Sequence, residues 1–203
     1  MLAEIQKHLT GHPWQDNIIW LDTIDSTNTY AKTLAQSGAP HGTCVLAGTQ
    51  SGGRGRMGRS FSSPAGMGIY LSVILRPNCK AEDLMHLTCC AGVAMCDAVE
   101  KAAGIRPQIK WINDLVVNQR KLGGILTELS VNNAGFVDFA VIGVGINCTQ
   151  QPSDFAEELQ TIATSLSIAA GTQIAPVQLA KEMFLSLSEM DITQKESILQ
   201  KYK

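Results

Sequence analysis

The run from Gln108 to Asn147 constrains the fold more than any other part of the sequence. Four strand-like stretches follow one another there: Gln108 to Trp111, Leu115 to Val117, Lys121 to Leu129, and the twelve residues FVDFAVIGVGIN ending at Asn147. Only short turns separate them, Asn118-Gln119-Arg120 between the second and third, and Asn132, Asn133 and Gly135 before the fourth. Spacers this short cannot hold the crossover helix that a parallel pair requires, so these strands must pair as antiparallel hairpins. A doubly wound Rossmann sheet, in which a helix follows each strand, fits poorly.

The remaining periodicities complete an α+β pattern. Asn17 to Ile24 reads as a strand, Asp25-Ser26-Thr27-Asn28 supplies helix-capping side chains, and a helix follows from Thr29 to Gln36. Cys44 to Thr49 and Gly68 to Leu75 are apolar strands, and Glu82 to Ala103 has helical periodicity ending at Gly104, a residue suited to a C-cap. Asp154 to Leu159, Pro176 to Met190 and Ile192 to Tyr202 also read as helical. With 203 residues, 45% of them hydrophobic, and no internal repeat, the expectation is one domain: a mixed, largely antiparallel central sheet flanked by helices.

Several function classes lose support at this point. A formal charge of −2 gives no global reason to expect a nucleic-acid partner. The opening MLAEIQKHLTGHPW carries Glu4, Lys7 and His8 where a secretory signal needs an apolar run, and no later run is long enough to span a bilayer, so a cytoplasmic protein is expected. The six cysteines (Cys44, Cys79, Cys89, Cys90, Cys96, Cys148) lack zinc-site spacing and read as reduced, mostly buried thiols. His8, His12, His41 and His86 read as structural or surface residues, and no enzymic nucleophile is required.

Three stretches carry chemistry. In the loop from Gln50 to Ser60, Arg54, Arg56 and Arg59 alternate with Gly52, Gly53, Gly55 and Gly58. Glycines let the backbone close on an anion, and guanidinium groups grip phosphate or carboxylate oxygens in pairs. The loop is neither a Walker loop nor a Rossmann fingerprint, and taken alone it is equally a solvated Arg/Gly turn or an RGG-like nucleic-acid segment. The second stretch is Lys110-Trp111-Ile112-Asn113-Asp114 with Arg120-Lys121-Leu122-Gly123-Gly124 after a turn. It offers compact positive charge, yet by itself it also reads as a surface hairpin. Asp25-Ser26-Thr27-Asn28 is the third, an ordinary helix cap or a pocket for a small polar head such as a ureido ring.

Taken together, DSTN, TQSGGRGRMGRSFSSPAGMGIYLS, KWIND, RKLGGILTEL and VIGVGIN, in this order from about Ile18 to Asn147, resemble the catalytic domain of biotin protein ligases, the biotin–[acetyl-CoA-carboxylase] ligases. The resemblance implies a fold related to class II aminoacyl-tRNA synthetases and lipoate ligases. It also implies ATP-dependent formation of biotinyl-5'-AMP, with magnesium accompanying the ATP and no tightly bound metal, and transfer of biotin to a lysine of a biotin carboxyl carrier protein. Carried over by motif, Ser26, Thr27, Asn28, Gln50, Arg54, Gly55, Arg56, Lys121, Gly124, Gly143 and Gly145 match biotin-binding positions. Arg54, Arg56, Arg59, Lys110, Trp111, Asn113, Asp114, Lys121 and Asn147 match adenylate-binding ones, and Arg54, Arg56 and Lys121 are the residues implied to act on the reacting phosphate.

The sequence departs from the family pattern in places. Ile112 replaces the usual proline and Phe61 a frequent tryptophan, which keeps an apolar wall and loses an N–H donor. No helix-turn-helix is read before Ile18, which argues against the DNA-binding role of bifunctional members, and the small C-terminal β-barrel of the family is not read before Lys203. A monomer or a homodimer joined at a sheet edge is expected. Rival readings are a lipoate or octanoate ligase and a non-catalytic biotin-binding module.

Overall fold

The computed structural model describes residues 2–192. Its centre is a seven-stranded sheet in the order β1-β2-β3-β7-β6-β5-β4. The strands are β1 (Ile18–Ile24), β2 (Cys44–Gln50), β3 (Gly68–Leu75), β4 (Gln108–Lys110), β5 (Asp114–Val117), β6 (Arg120–Val131) and β7 (Val137–Asn147). Only β1 and β2 run parallel, joined across by α2 (Thr27–Gln36); every other neighbouring pair is antiparallel. The expected α+β class and the hairpin pairing of Gln108 to Asn147 are therefore what the structure has. Asn118 and Gln119 both adopt positive φ (50° and 64°), the conformation that a two-residue turn between right-twisted strands demands.

Side-chain alternation sorts the two faces of the sheet. Ile69, Leu71, Val73 and Leu75 of β3 and Ala140, Ile142, Val144 and Ile146 of β7 enter the main core under α3 (Leu87–Ala103), α5 (Pro176–Ser188) and α1 (Leu2–His8). The intervening positions Ile74, Phe139 and Val141 face the opposite side, where Ala31 and Ala35 of α2 cover them with Val45. By the same alternation Ser72, Gly143 and Gly145 lie on the α2 side, so the start of α2 stands directly over the glycine-bearing middle of β7.

Differences from the sequence reading have physical causes. The expected helix from Glu82 to Ala103 is split into a single 3-10 turn, Ala81–Leu84, and α3. Asp83 accepts the Lys80 N–H (3.1 Å) and closes that turn separately. Gly104 ends α3 at φ 68°, as its C-cap position predicts. Asp154 to Leu159 forms two 3-10 turns, Pro152–Asp154 and Glu157–Leu159. Helices α1 and α4 (Leu166–Ala170) were not expected from periodicity, being too short to show it. The expected helix at Ile192 to Tyr202 lies, beyond Ile192 itself, outside the described residues.

Candidate active site

The N-terminus of α2 is fixed from several directions. Ser26 caps it with an extended backbone, its Oγ accepting from the Thr29 N–H (3.5 Å), and Asp25 Oδ1 accepts the Ser26 N–H (2.6 Å). Gln50 Oε1, at the end of β2, accepts from both Thr27 N (2.9 Å) and Thr27 Oγ1 (3.0 Å), while its Nε2 donates to Ser63 Oγ (2.8 Å). Asn28 Nδ2 donates to Leu126 O (3.2 Å) and Glu128 Oε2 (3.0 Å). Buried Ser72 stands 2.8 Å from Thr27 Oγ1 and 2.7 Å from Asn28 Oδ1, its single proton serving either. A methyl group on Gly143 would land on the Asn28 carboxamide, and one on Gly145 would press into the Phe61 ring. Only glycine lets strand, helix and loop approach this closely.

The Arg/Gly stretch is folded back on itself. Gly55 N donates to Arg59 O (2.7 Å), Phe61 N donates to Gly53 O (2.8 Å), and Arg54 bridges Ser60. Cross-bridges between its own limbs give the stretch a defined form. Met57 occupies the tip in the left-handed region (φ 55°) and is 90% exposed. Arg54 forms a two-point ion pair with Glu128 (3.2 and 3.3 Å), and Arg56 Nη1 donates to Asn113 Oδ1 (3.4 Å) across the opening. On the far wall Lys121 Nζ meets Asp114 Oδ1 at 2.7 Å, and Asn113 Nδ2 donates to Ile125 O (3.0 Å).

These segments enclose one cavity of about 310 Å³. Arg54, Arg56, Arg59, Lys110 and Lys121 line it against the single carboxylate of Asp114, so the cleft is cationic although the chain is net negative. Ser26, Thr27, Asn28 and Gln50 line its other end, with Gly55, Trp111, Asn113, Gly124, Gly143 and Gly145 between. A neutral, hydrogen-bonding recess beside a ring of cations suits a ligand with a polar uncharged head and an anionic or phosphorylated tail.

Asn147 is the exception among the expected residues, because it does not line the cleft. It is buried, donates to Thr164 O (2.9 Å) and accepts from Gln150 Nε2 (3.2 Å). The segment at Thr164, which runs beside Lys121, covers it. Two residues that contact the cleft walls lie within the quoted motif blocks but were not singled out there. Ser72 had one visible signal, a hydroxyl in a strand whose eight residues are all buried, whereas Glu128 looked like an ordinary polar position on a half-exposed strand.

The cysteines are uninvolved in this cavity. Burial pushes the thiols of Cys90, Cys96 and Cys148 up to about 12 and raises that of Cys44, which suppresses the nucleophilic thiolate. Alkylation of the native protein with iodoacetamide is accordingly expected to leave turnover unchanged. Loss of turnover before any change in the far-ultraviolet circular dichroism spectrum would place a thiol in the reaction.

Residues 20–147 match the family described as the biotin/lipoate A/B protein ligase family. The chain belongs to this family. Among curated family members it is 44% identical, over 172 residues, to the bifunctional ligase/repressor BirA of Bacillus subtilis (85% of this chain, 53% of that protein). Against the biotin–[acetyl-CoA-carboxylase] ligase of Mycobacterium tuberculosis it is 37% identical over 161 residues (77% and 56%). The chain thus spans about half the length of the curated relatives it matches. Among solved structures it superimposes on the biotin protein ligase of Aquifex aeolicus in complex with biotin and ATP with a TM-score of 0.71 at 31% identity, covering 85% of this chain and 69% of that one. The biotin protein ligase of Leishmania major in complex with biotin gives a TM-score of 0.74 at 26% identity, covering 92% and 79%. Among the described residues no helix is long and apolar enough to cross a membrane.

Proposed function

We propose that the protein joins biotin to AMP at the expense of ATP and then passes the biotinyl group to a lysine of a biotin carboxyl carrier protein in the cytoplasm. The observation that carries this reading is the single cleft in which a neutral hydrogen-bonding recess and five cationic side chains meet. In this reading the recess takes the biotin ring system and the cations take its carboxylate and the nucleotide phosphates. The Aquifex aeolicus ligase on which the chain superimposes is in complex with biotin and ATP, which supports the same assignment.

The chemistry follows from a defect of the carboxylate, which is anionic and has no acceptable leaving group. In the first step a carboxylate oxygen of biotin attacks the α-phosphorus of ATP, the bond to the bridging oxygen of the β-phosphate breaks, and pyrophosphate leaves. Arg54, Arg56 and Lys121 offset the charge that gathers on the phosphoryl oxygens. In the second step the neutral amine of a carrier lysine attacks the acyl carbon, the bond to AMP breaks, and the amine proton is lost to solvent.

The lining holds one carboxylate, Asp114, already held by Lys121, and no group of three or more metal-ligating side chains occurs among the described residues. That donor set fits an ion brought in with ATP, since magnesium typically takes one or two carboxylates together with phosphate oxygens. Asp114 would hold it. When bound, the ion supplies further positive charge to the phosphate chain.

Ser26, Thr27, Asn28 and Gln50 give this end of the cleft a polar wall, which suits the ureido ring of biotin better than the apolar dithiolane of a lipoyl group. Incubation with biotin, magnesium-ATP and a biotin carrier domain, followed by mass spectrometry, should show biotinyl-AMP and a carrier heavier by one biotinyl group. Tight biotin binding with neither product would favour a binding module.

The Arg56–Asn113 contact spans the cleft opening. Arg56→Gly is expected to let the reactive anhydride escape, so that a bystander such as serum albumin becomes biotinylated. Unchanged carrier selectivity in that variant would count against a closing role for the loop.

A further inference from the structure

One carboxylate that does not line the cleft holds two of its walls together. Glu128 on β6 has a side chain only 20% exposed and receives Asn28 Nδ2 (3.0 Å), Lys32 Nζ (2.9 Å), Arg54 Nη1 (3.2 Å) and Arg54 Nη2 (3.3 Å). Asn28 and Lys32 are four residues apart, one turn along the same face of α2. Partial burial raises the Glu128 carboxyl, but the hydrogen bonds from Lys32 and Asn28 and the Arg54 charge outweigh it, so the group sits below the usual carboxylate range and stays ionised.

This arrangement connects the two ends of the cavity. The Asn28 carboxamide spends both N–H groups on Leu126 O and Glu128, so its orientation in the recess depends on that carboxylate. Arg54 presents two of its five N–H groups to Glu128, which leaves three for an incoming anion. The fork geometry fixes the plane of the guanidinium as well as its position.

We infer that Glu128 is a positioning residue, which, on the biotin-activating reading above, seats the Arg54 loop over the cleft and ties it to the end of α2 that forms the recess. It touches neither substrate. Its influence runs through Arg54 on one side and Asn28 on the other. In the ligand-free protein Glu128 therefore governs how often the loop leaves the cleft, and the nucleotide binds only the seated population.

Limited tryptic cleavage after Arg56 and Arg59 reads loop release without assuming any ligand. Glu128→Gln keeps the shape and one acceptor for Asn28 while removing the charge. Cleavage is expected to accelerate about fivefold, the factor that corresponds to a partly exposed ion pair. The melting temperature should shift little, and the KM for ATP should rise severalfold while biotin affinity stays within about twofold. Should Glu128→Gln fail to fold, Arg54→Gln breaks the same pair from the exposed loop and should give the same acceleration. In the double variant the effect should equal that of either single change, because one contact is lost in all three. Wild-type cleavage rates in the folded single variants, or additive effects in the double one, would overturn the inference. If instead the wild type makes no biotinyl-AMP, the functional reading fails and the tryptic comparison still decides the role of Glu128.

Discussion

Lys121→Ala is expected to slow biotin-dependent pyrophosphate release by about 10²–10³-fold, the usual effect of removing one preorganised charge from a developing oxyanion. The loss should exceed what a missing contact alone produces. Lys121 Nζ neutralises Asp114 at 2.7 Å, so its removal leaves a bare carboxylate facing the phosphates and adds repulsion. Stability should hardly change, because the pair is 42% and 28% exposed and partly exposed pairs contribute about 0–1 kcal/mol. Stopped-flow pyrophosphate detection with a thermal melt separates the two effects. A rate within threefold of wild type would remove Lys121 from the reacting centre.

Gly143→Ala tests the other end of the cleft. The added carbon would coincide with the Asn28 carboxamide, which is itself held by Ser72, Leu126 O and Glu128 and has nowhere to go. Overpacking of this kind costs about 1–3 kcal/mol, and because Asn28 belongs to the recess, biotin affinity should fall by roughly 10- to 100-fold. Isothermal titration of biotin measures it directly. Gly124→Ala is the comparison: its new carbon would meet Asp114 and Lys121 no closer than 3.6 Å, an ordinary contact, so stability should drop by less than about 1 kcal/mol. Equal losses in the two variants would show that the Gly143–Asn28 approach has no special weight.

The sequence carried the hairpins from Gln108 to Asn147, because short spacers between apolar runs leave no room for crossover helices; the β3–β7 and parallel β1–β2 pairings did not show in it. The five motif blocks in order also pointed to most of the polar residues of the cleft, where the Arg/Gly loop alone had equal alternatives. What the sequence hid were contacts made at long range. Glu128 lies within the RKLGGILTEL block, yet its partners Asn28 and Arg54 are 100 and 74 residues away, so no local pattern gave its role. Gln50 read as a ligand contact, yet its carbonyl oxygen takes both Thr27 donors, so its first task is to hold the start of α2. Asn147 lies away from the cleft for a related reason. Alternation along β7 puts it on the same face as Gly145, but the chain near Thr164 comes back over that end of the strand, and no pattern in β7 announces this. The break before α3 was equally silent, since the Asp83 cap competes with a helix that periodicity would have continued.

Exchange of labelled pyrophosphate into ATP, with biotin and lipoate supplied separately, addresses most directly whether the cations of three chain segments activate the carboxylate of an acid whose ring sits in the polar recess. Exchange should appear with biotin, be absent with lipoate, and collapse in Lys121→Ala. Exchange that is indifferent to the acid, or that survives the loss of that ammonium group, would contradict the proposed site.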